Sequence, residues 1–321
     1  MEKTKVLIIG AGAAGLCAAK HVLSCTNFIC RIIEQTDEVG GTWVYTDDIF
    51  KDKYGSPIHS SMYQGLKTNL PKEVMQFLDF PFPPNEKSYL HHSEVLQYLR
   101  DYAEHNHLLN HLELHKTVEL VQPIFGLEKL AWKAQIKDLK KGAIEEDVFD
   151  AVMVCNGHYS VPNVPDIPGI QDFKGSVIHS HVFRVSDPYR GKNVVIWGAS
   201  ASGLDISLEI SSVAKSVTIC HRHPEMVKHK FPENVRQAAN IISASGDGFT
   251  LEDGTECKAD ALIYCTGYHY NFPLLSKECA IEVKDNRVTP LYKHLINIEY
   301  PSMCLVGLPF KVSPVKLSIT Y

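Results

Sequence analysis

Apolar residues come in short runs that stop abruptly. Val6–Ile9 ends on Gly10, and Phe28–Ile33 ends on Glu34, both β-branched enough to read as strands. Between them Leu16–Leu23 is a small-residue helix pattern, so the chain begins strand–helix–strand. Ser93 reads as the N-cap of a helix with apolar positions at Val95, Leu96, Leu99 and Tyr102. Leu112–Val121, Leu130–Lys137 and Asp147–Asn156 read as strands, with a turn at Lys140–Gly142. The last of these stops at a glycine, in Cys155-Asn156-Gly157-His158. Tyr63–Pro84 keeps no period and reads as an irregular, apolar wall. Val161–Gly169, with three prolines in nine residues, is a stiff linker.

Beyond that linker the opening pattern returns. Val194–Trp197 is a strand, Gly198–Gly203 a glycine turn, and Leu204, Ile206, Leu208, Ile210 and Val213 mark a helix. Val217–Cys220 closes the unit as a second strand, and Ala261–Tyr268 echoes Ala151–His158. Ser302–Gly307 then reads as a strand returning to the first sheet. The pattern predicts an α/β protein with two dinucleotide-binding, Rossmann-like domains, the second inserted into the first. The expected divisions are 1–160 and 270–321 for the split domain and 161–269 for the insert.

The turns carry the chemistry. Gly10, Gly12 and Gly15, with Ala13 and Ala14 between, have phosphate-loop spacing. Gly10 makes the tight turn, Gly12 keeps side chains off the pyrophosphate, and Gly15 lets helix and strand close up. The helix start offers free N–H groups and a positive dipole end to phosphate. Glu34, at the end of the second strand, is placed to accept ribose hydroxyls. In the second unit Gly198, Ser200, Ser202, Gly203, Leu204 and Asp205 occupy the corresponding loop, with Ser200 at the middle-glycine position. Asp205 reads as a first-turn acid favoured by the helix dipole. That unit ends on Arg222, whose fork can clamp a 2′-phosphate that Glu34 would repel. The first site is therefore expected to take FAD or NAD, and the second NADP(H).

Composition narrows the classes. The 321 residues suggest two domains, and 45% hydrophobic with 21% charged residues is ordinary for a globular chain. A net charge of −5 predicts no general attraction to nucleic acid or anionic membranes. Nine scattered cysteines point to a reduced, cytoplasmic setting. Met1–Ala19 imitates a signal peptide, but its three glycines fit a phosphate loop better, and no apolar stretch predicts a membrane span. Cys25 and Cys30 read as small buried hydrophobes rather than a redox pair. His107, His111 and His115 read as a solvated surface, and no metal site is expected. No esterase elbow is present.

Phe173-Lys-Gly175-Ser-Val-Ile-His179-Ser-His-Val-Phe183 fits the F-x-G-x-x-x-H-x-x-x-[FY] signature of flavin-containing monooxygenases. With Gly40-Gly41-Thr42-Trp43, Thr68-Asn69, Cys265-Thr266-Gly267-Tyr268 and both nucleotide loops, the chain resembles that family from residue 5 to about 307, most of all its insect members that N-oxidise alkaloids. The resemblance implies an FAD- and NADPH-dependent monooxygenase of the N,N-dimethylaniline monooxygenase type, acting in xenobiotic metabolism. It would use O2, through a flavin hydroperoxide, to N- or S-oxygenate small lipophilic amines or sulfides. It assigns Asn69 as the catalytic amide near flavin and nicotinamide, with Thr68 beside it, and sets Thr42 and Trp43 along the flavin. It places Ser202–Asp205 on NADP. His179 is expected to join the domains or support NADP rather than act as a base. Phe183, where Baeyer–Villiger relatives typically carry Trp, favours heteroatom over ketone oxygenation. Sequence does not choose between monomer and homodimer. Family members normally continue past the Ser302–Gly307 strand, and Lys311–Tyr321 does not resemble that continuation. The alternative expectation is accordingly a truncated, catalytically impaired nucleotide-binding form that acts as a binding or pairing protein.

Overall fold

A computed structural model describes residues 3–84, 87–126, 129–225, 227–228 and 230–309, so Lys311–Tyr321 lies outside the described residues. The opening pattern folds as β1 (Thr4–Ile9), α1 (Ala13–Leu23) and β2 (Phe28–Ile33). β1 and β2 are parallel and in register, Val6 level with Cys30 and Ile9 level with Ile33. α1 buries Gly15, Leu16, Ala18, Ala19 and Val22, small enough for the helix to lie close on the strands. The expected wall, Tyr63–Pro84, contains one short helix, α2 (Lys72–Met75), and is otherwise irregular.

α3 (His92–His105) begins two residues earlier than Ser93 predicted. His91 is its N-cap: the imidazole accepts the Ser93 N–H, and Glu94 reaches back to the His91 N–H at 3.0 Å. That reciprocal pair is a capping box built on histidine, a residue outside the usual Ser/Thr/Asp/Asn set.

Two expected strands are each divided. Leu112–Val121 becomes β3 (Leu112–Glu113) and β4 (Lys116–Ile124), because His115 takes a left-handed backbone, φ +56°. β4, β5 (Ala131–Asp138) and β6 (Ile144–Phe149) form their own antiparallel sheet. Asp147–Asn156 breaks at Asp150, where β6 gives way to β7 (Ala151–Val154). The Asp150 carboxylate accepts the Lys5 N–H at 2.7 Å and the Asp150 N–H donates to the Lys5 carbonyl at 2.8 Å, so β7 enters the sheet beside β1. Arg31 of β2 bridges to Glu113, Glu145 and Asp147, tying the two sheets edge to face.

The first sheet runs Leu291–Tyr292, Ile296–Asn297, Met303–Leu305, β7, β1, β2, β3, its first two pairings antiparallel and the rest parallel. Met303–Leu305 pairs parallel with β7, so the Ser302–Gly307 segment does return to this sheet. A second, all-parallel sheet runs Val235–Ala238, Ser216–Cys220, Asn193–Trp197, Ala261–Tyr264, Ser176–His179. α4 (Ala201–Ser211) packs on it through Ile206 and Ile210. Each sheet has buried apolar clusters on both faces, the layered arrangement of doubly wound folds. Val161–Pro162 pairs with Tyr268–His269, so the two crossings between the sheets are strapped together.

The side features are less exposed, or less buried, than expected. His107, His111 and His115 sit on a 3-10 turn and beyond β3, so no helical stripe forms; His115 is half-buried, its ring edge-on to Tyr54, rather than solvated. Cys30 is buried, as a small hydrophobe should be, but Cys25 is exposed at the turn before β2.

Candidate active site

Two strand-to-helix turns have nearly the same geometry. At the first, Gly10 has φ +101°, and a Cβ there would stand 2.6 Å from the Cys155 carbonyl oxygen. A Cβ on Gly15 would stand 1.9 Å from the Gly10 carbonyl oxygen. At the second, Gly198 has φ +116° with the Cys265 oxygen at 2.4 Å, and Gly203 would meet the Gly198 oxygen at 1.9 Å. Backbone atoms cannot move aside, so only glycine closes either turn.

The middle position tolerates a side chain for a visible reason. Gly12 (φ −73°, ψ −177°) and Ser200 (φ −85°, ψ −171°) share ordinary extended backbone, which serine adopts without strain. Both cap their helices without a side-chain hydrogen bond, leaving the first-turn N–H groups for a ligand. Ala13 and Ala14 pack partly onto the first core, and a Cβ on Gly307 would lie 3.4 Å from the Ala14 Cβ, so the segment after Met303–Leu305 passes over the start of α1. These cradles fit the pyrophosphate of a dinucleotide.

Around the first cradle, Gly41–Trp43 forms a 3-10 turn pressed onto the phosphate loop: a Cβ on Gly41 would stand 2.9 Å from the Gly12 Cα. Thr42 is exposed there, and Trp43 is half-buried against the first core. Glu34 is buried. Its Oε2 accepts the Ala11 N–H at 2.7 Å, and its Oε1 accepts the Thr36 N–H and hydroxyl, each at 2.9 Å. A carboxylate has about four acceptor positions, so Glu34 braces the glycine loop and has one position left over. Thr68 is turned inward, its hydroxyl accepting the Leu90 N–H at 3.0 Å and its N–H donating to the Leu90 carbonyl. Asn69, the next residue, is exposed on the bend that Thr68 anchors.

Around the second cradle, Ser200 and Ser202 are exposed and Leu204 is half-buried in the α4 face. Asp205 is not in the first turn, because α4 begins at Ala201. Burial, then the charge of Glu209 one turn on, pushes its carboxyl up to about 6, so Asp205 is not the first-turn, dipole-stabilised acid expected. Arg222 stands exposed on the bend after Ser216–Cys220, with no ion pair among the described residues. Its loop is braced by Gln237, which meets His221 Nε2 and donates to the Val227 carbonyl, each at 2.9 Å.

Between the cradles runs the signature segment. His179 is buried, with Nε2 bonded to the Gly267 carbonyl at 3.0 Å and Nδ1 accepting the His181 N–H at 3.0 Å. Burial pulls its pKa down to about 4, so both nitrogens are committed and the ring is neutral. His179 thus ties the signature segment to the Gly267 crossing. Tyr268 lies against the His179 and His181 rings, and burial pushes its hydroxyl, bonded to Ser61 and Ser180, up to about 12. Sequence reasoning missed Arg184 and Ser60, which are both buried here. The one available signal was the position of Arg184, a cation directly after Phe183.

Comparison with known proteins agrees with this geometry. The flavin-binding monooxygenase-like family description matches residues 3–235, and the chain belongs to that family, whose members use FAD and NADPH. It is 40% identical over 328 residues to the flavin-containing monooxygenase FMO GS-OX5 of Arabidopsis thaliana, covering 97% of this chain and 70% of the relative. Among solved structures it resembles S-allyl-L-cysteine S-oxygenase of Allium sativum, with TM-score 0.87, 37% identity, and 97% and 73% of the two chains covered. It also resembles Tmm of Pelagibacter sp. strain HTCC7211, with TM-score 0.85, 30% identity, and 95% and 71% covered.

Proposed function

We propose that this flavin monooxygenase uses NADPH and FAD to S- or N-oxygenate small lipophilic sulfides or amines. The observation that carries the reading is the pair of matching cradles with opposite ribose readers, buried Glu34 on one and exposed Arg222 on the other. Likeness to an S-oxygenase favours sulfur over nitrogen. In this reading residues 1–160 and 270–321 form the FAD domain and 161–269 the inserted NADPH domain. Bound FAD supplies the oxygen-activating redox chemistry. The protein's share is to hold and to exclude water. Gly10, Gly12 and Gly15 keep the first phosphate loop open, Gly12, Ala13 and Ala14 offer N–H groups, and Glu34 takes the ribose. Thr42 and Trp43 lie beside the flavin, and Asn69 presents a side-chain amide that donates without titrating. Gly198, Ser200, Ser202 and Gly203 take the second pyrophosphate, and Arg222 takes the 2′-phosphate.

Purified protein loaded with FAD should consume NADPH in air, faster when a thioether is present, with one sulfoxide formed per substrate-dependent turnover. Arg222→Ala should weaken NADPH binding about 10- to 100-fold, the scale of a lost charge-assisted fork, and leave NADH unchanged. Equal losses for both nucleotides would overturn the assignment of the second site.

A further inference from the structure

Arg184 is 8% exposed, yet it faces no carboxylate at ion-pair distance among the described residues. A guanidinium has five N–H bonds, and here each is directed at a backbone carbonyl. Nε donates to Thr46 at 2.7 Å, Nη1 to His181 at 2.9 Å and Phe183 at 3.0 Å, and Nη2 to Asp48 at 2.9 Å and Ser60 at 3.3 Å. Two acceptors belong to the signature segment. The other three belong to the Thr46–Ser60 stretch, more than a hundred residues earlier. Burial disfavours its charge, which the nearby Tyr45, Tyr268, Asp47 and Asp48 partly offset. A cation is a costly way to fill such a space unless its directionality is used.

Ser60 carries that direction onward. Its hydroxyl is shared between the Thr42 carbonyl at 3.0 Å and the Val44 carbonyl at 2.7 Å, and it accepts the Met62 N–H. Thr42 and Val44 flank Trp43 in the turn that presses on Gly12. We infer that Arg184 is a positioning residue: through Ser60 it fixes the Gly41–Trp43 turn over the first phosphate loop, and it registers that turn against the segment leading into the second nucleotide unit. The inference rests on the reading of the first cradle as the FAD site. Lysine would not replace it, since an ammonium has three donors and no plane.

The test compares Arg184→Lys, Arg184→Ala and Ser60→Ala with Arg190→Ala, whose side chain makes an exposed bridge to Asp187. Two quantities are read: amide hydrogen exchange over residues 40–48 in the flavin-free protein, and FAD and NADP+ dissociation constants. Exchange in that stretch should quicken at least about tenfold in both Arg184 variants, and FAD binding should weaken about tenfold or more. Ser60→Ala should move both in the same direction by about threefold. NADP+ affinity and Arg190→Ala should stay within about twofold of wild type. If Arg184→Ala does not fold, Arg184→Lys and Ser60→Ala decide. Unchanged exchange in those two overturns the inference, and so does an equal loss of FAD and NADP+ affinity, which marks general loss of fold. Failure of the wild-type protein to bind FAD would instead overturn the proposed function, and the exchange comparison would still decide the role of Arg184.

Discussion

A methyl group on Gly203 would have to share space with the Gly198 carbonyl oxygen, 1.9 Å away, and one on Gly15 with that of Gly10 at the same distance. Overpacking against a movable side chain costs about 1–3 kcal/mol; here the obstacle is backbone. Gly203→Ala should therefore abolish NADPH binding and lower the melting temperature, whereas Ser200→Gly, at an unstrained position, should change the melting temperature little. A Gly203→Ala protein that binds NADPH like wild type would contradict the cradle geometry. At this scale the sequence was most informative, because a glycine pattern reports a backbone requirement directly. Arg184 was illegible for the opposite reason. Its meaning lies in carbonyls at Thr46, Asp48 and Ser60, which nothing local in sequence brings near it. Sequence pointed to Glu34 as a ribose reader but not to its hold on Ala11 and Thr36, since those bonds depend on how the loop turns back.

The helix carrying Tyr98 and Tyr102 tests how caps are read. His91, not Ser93, closes the capping box of α3. His91→Ala should cost roughly 0.5–2 kcal/mol, the usual range for a lost N-cap. Ser93→Ala should cost clearly less, as read by urea denaturation of the two variants. The reverse order would restore the serine. Element existence was legible from apolar runs, and element limits were not. Asp147–Asn156 is continuous in sequence, yet the Lys5–Asp150 bonds end one strand and start another in a different sheet. Leu112–Val121 breaks where His115 turns left-handed. Neither break leaves a glycine or proline to announce it.

Across the whole molecule, several imidazoles are kept neutral by burial. His158, His179 and His181 all have lowered pKa values, His179 about 4. Above pH about 6.5, the ordinary histidine value, folded and unfolded chains are both neutral at these sites and nothing is lost. As pH falls below that value the unfolded chain binds protons that the native rings refuse, so stability declines, for His179 until its native pKa of about 4 is reached. Asp205, raised to about 6, opposes this over part of the window because its native form binds the proton first. His59, His92 and His115 are lowered as well, so six histidines stand against one carboxyl among the described residues, and the melting temperature should fall between pH 6.5 and 4.5, less steeply in His179→Gln. A profile with the same slope in both proteins would contradict a neutral, buried His179. The insertion itself was legible, because the strand–turn–helix grammar occurs twice. The order of strands in each sheet was not, since it depends on which buried faces meet.

The most direct test of two cradles serving one flavin is anaerobic titration of the FAD-loaded, desalted protein with NADPH, followed in the visible flavin absorbance. One flavin per chain, full bleaching by one equivalent of NADPH, slow bleaching by NADH, and return of the absorbance on admitting air are expected. A protein that retains no flavin after desalting, or that NADH bleaches as readily as NADPH, would contradict that arrangement.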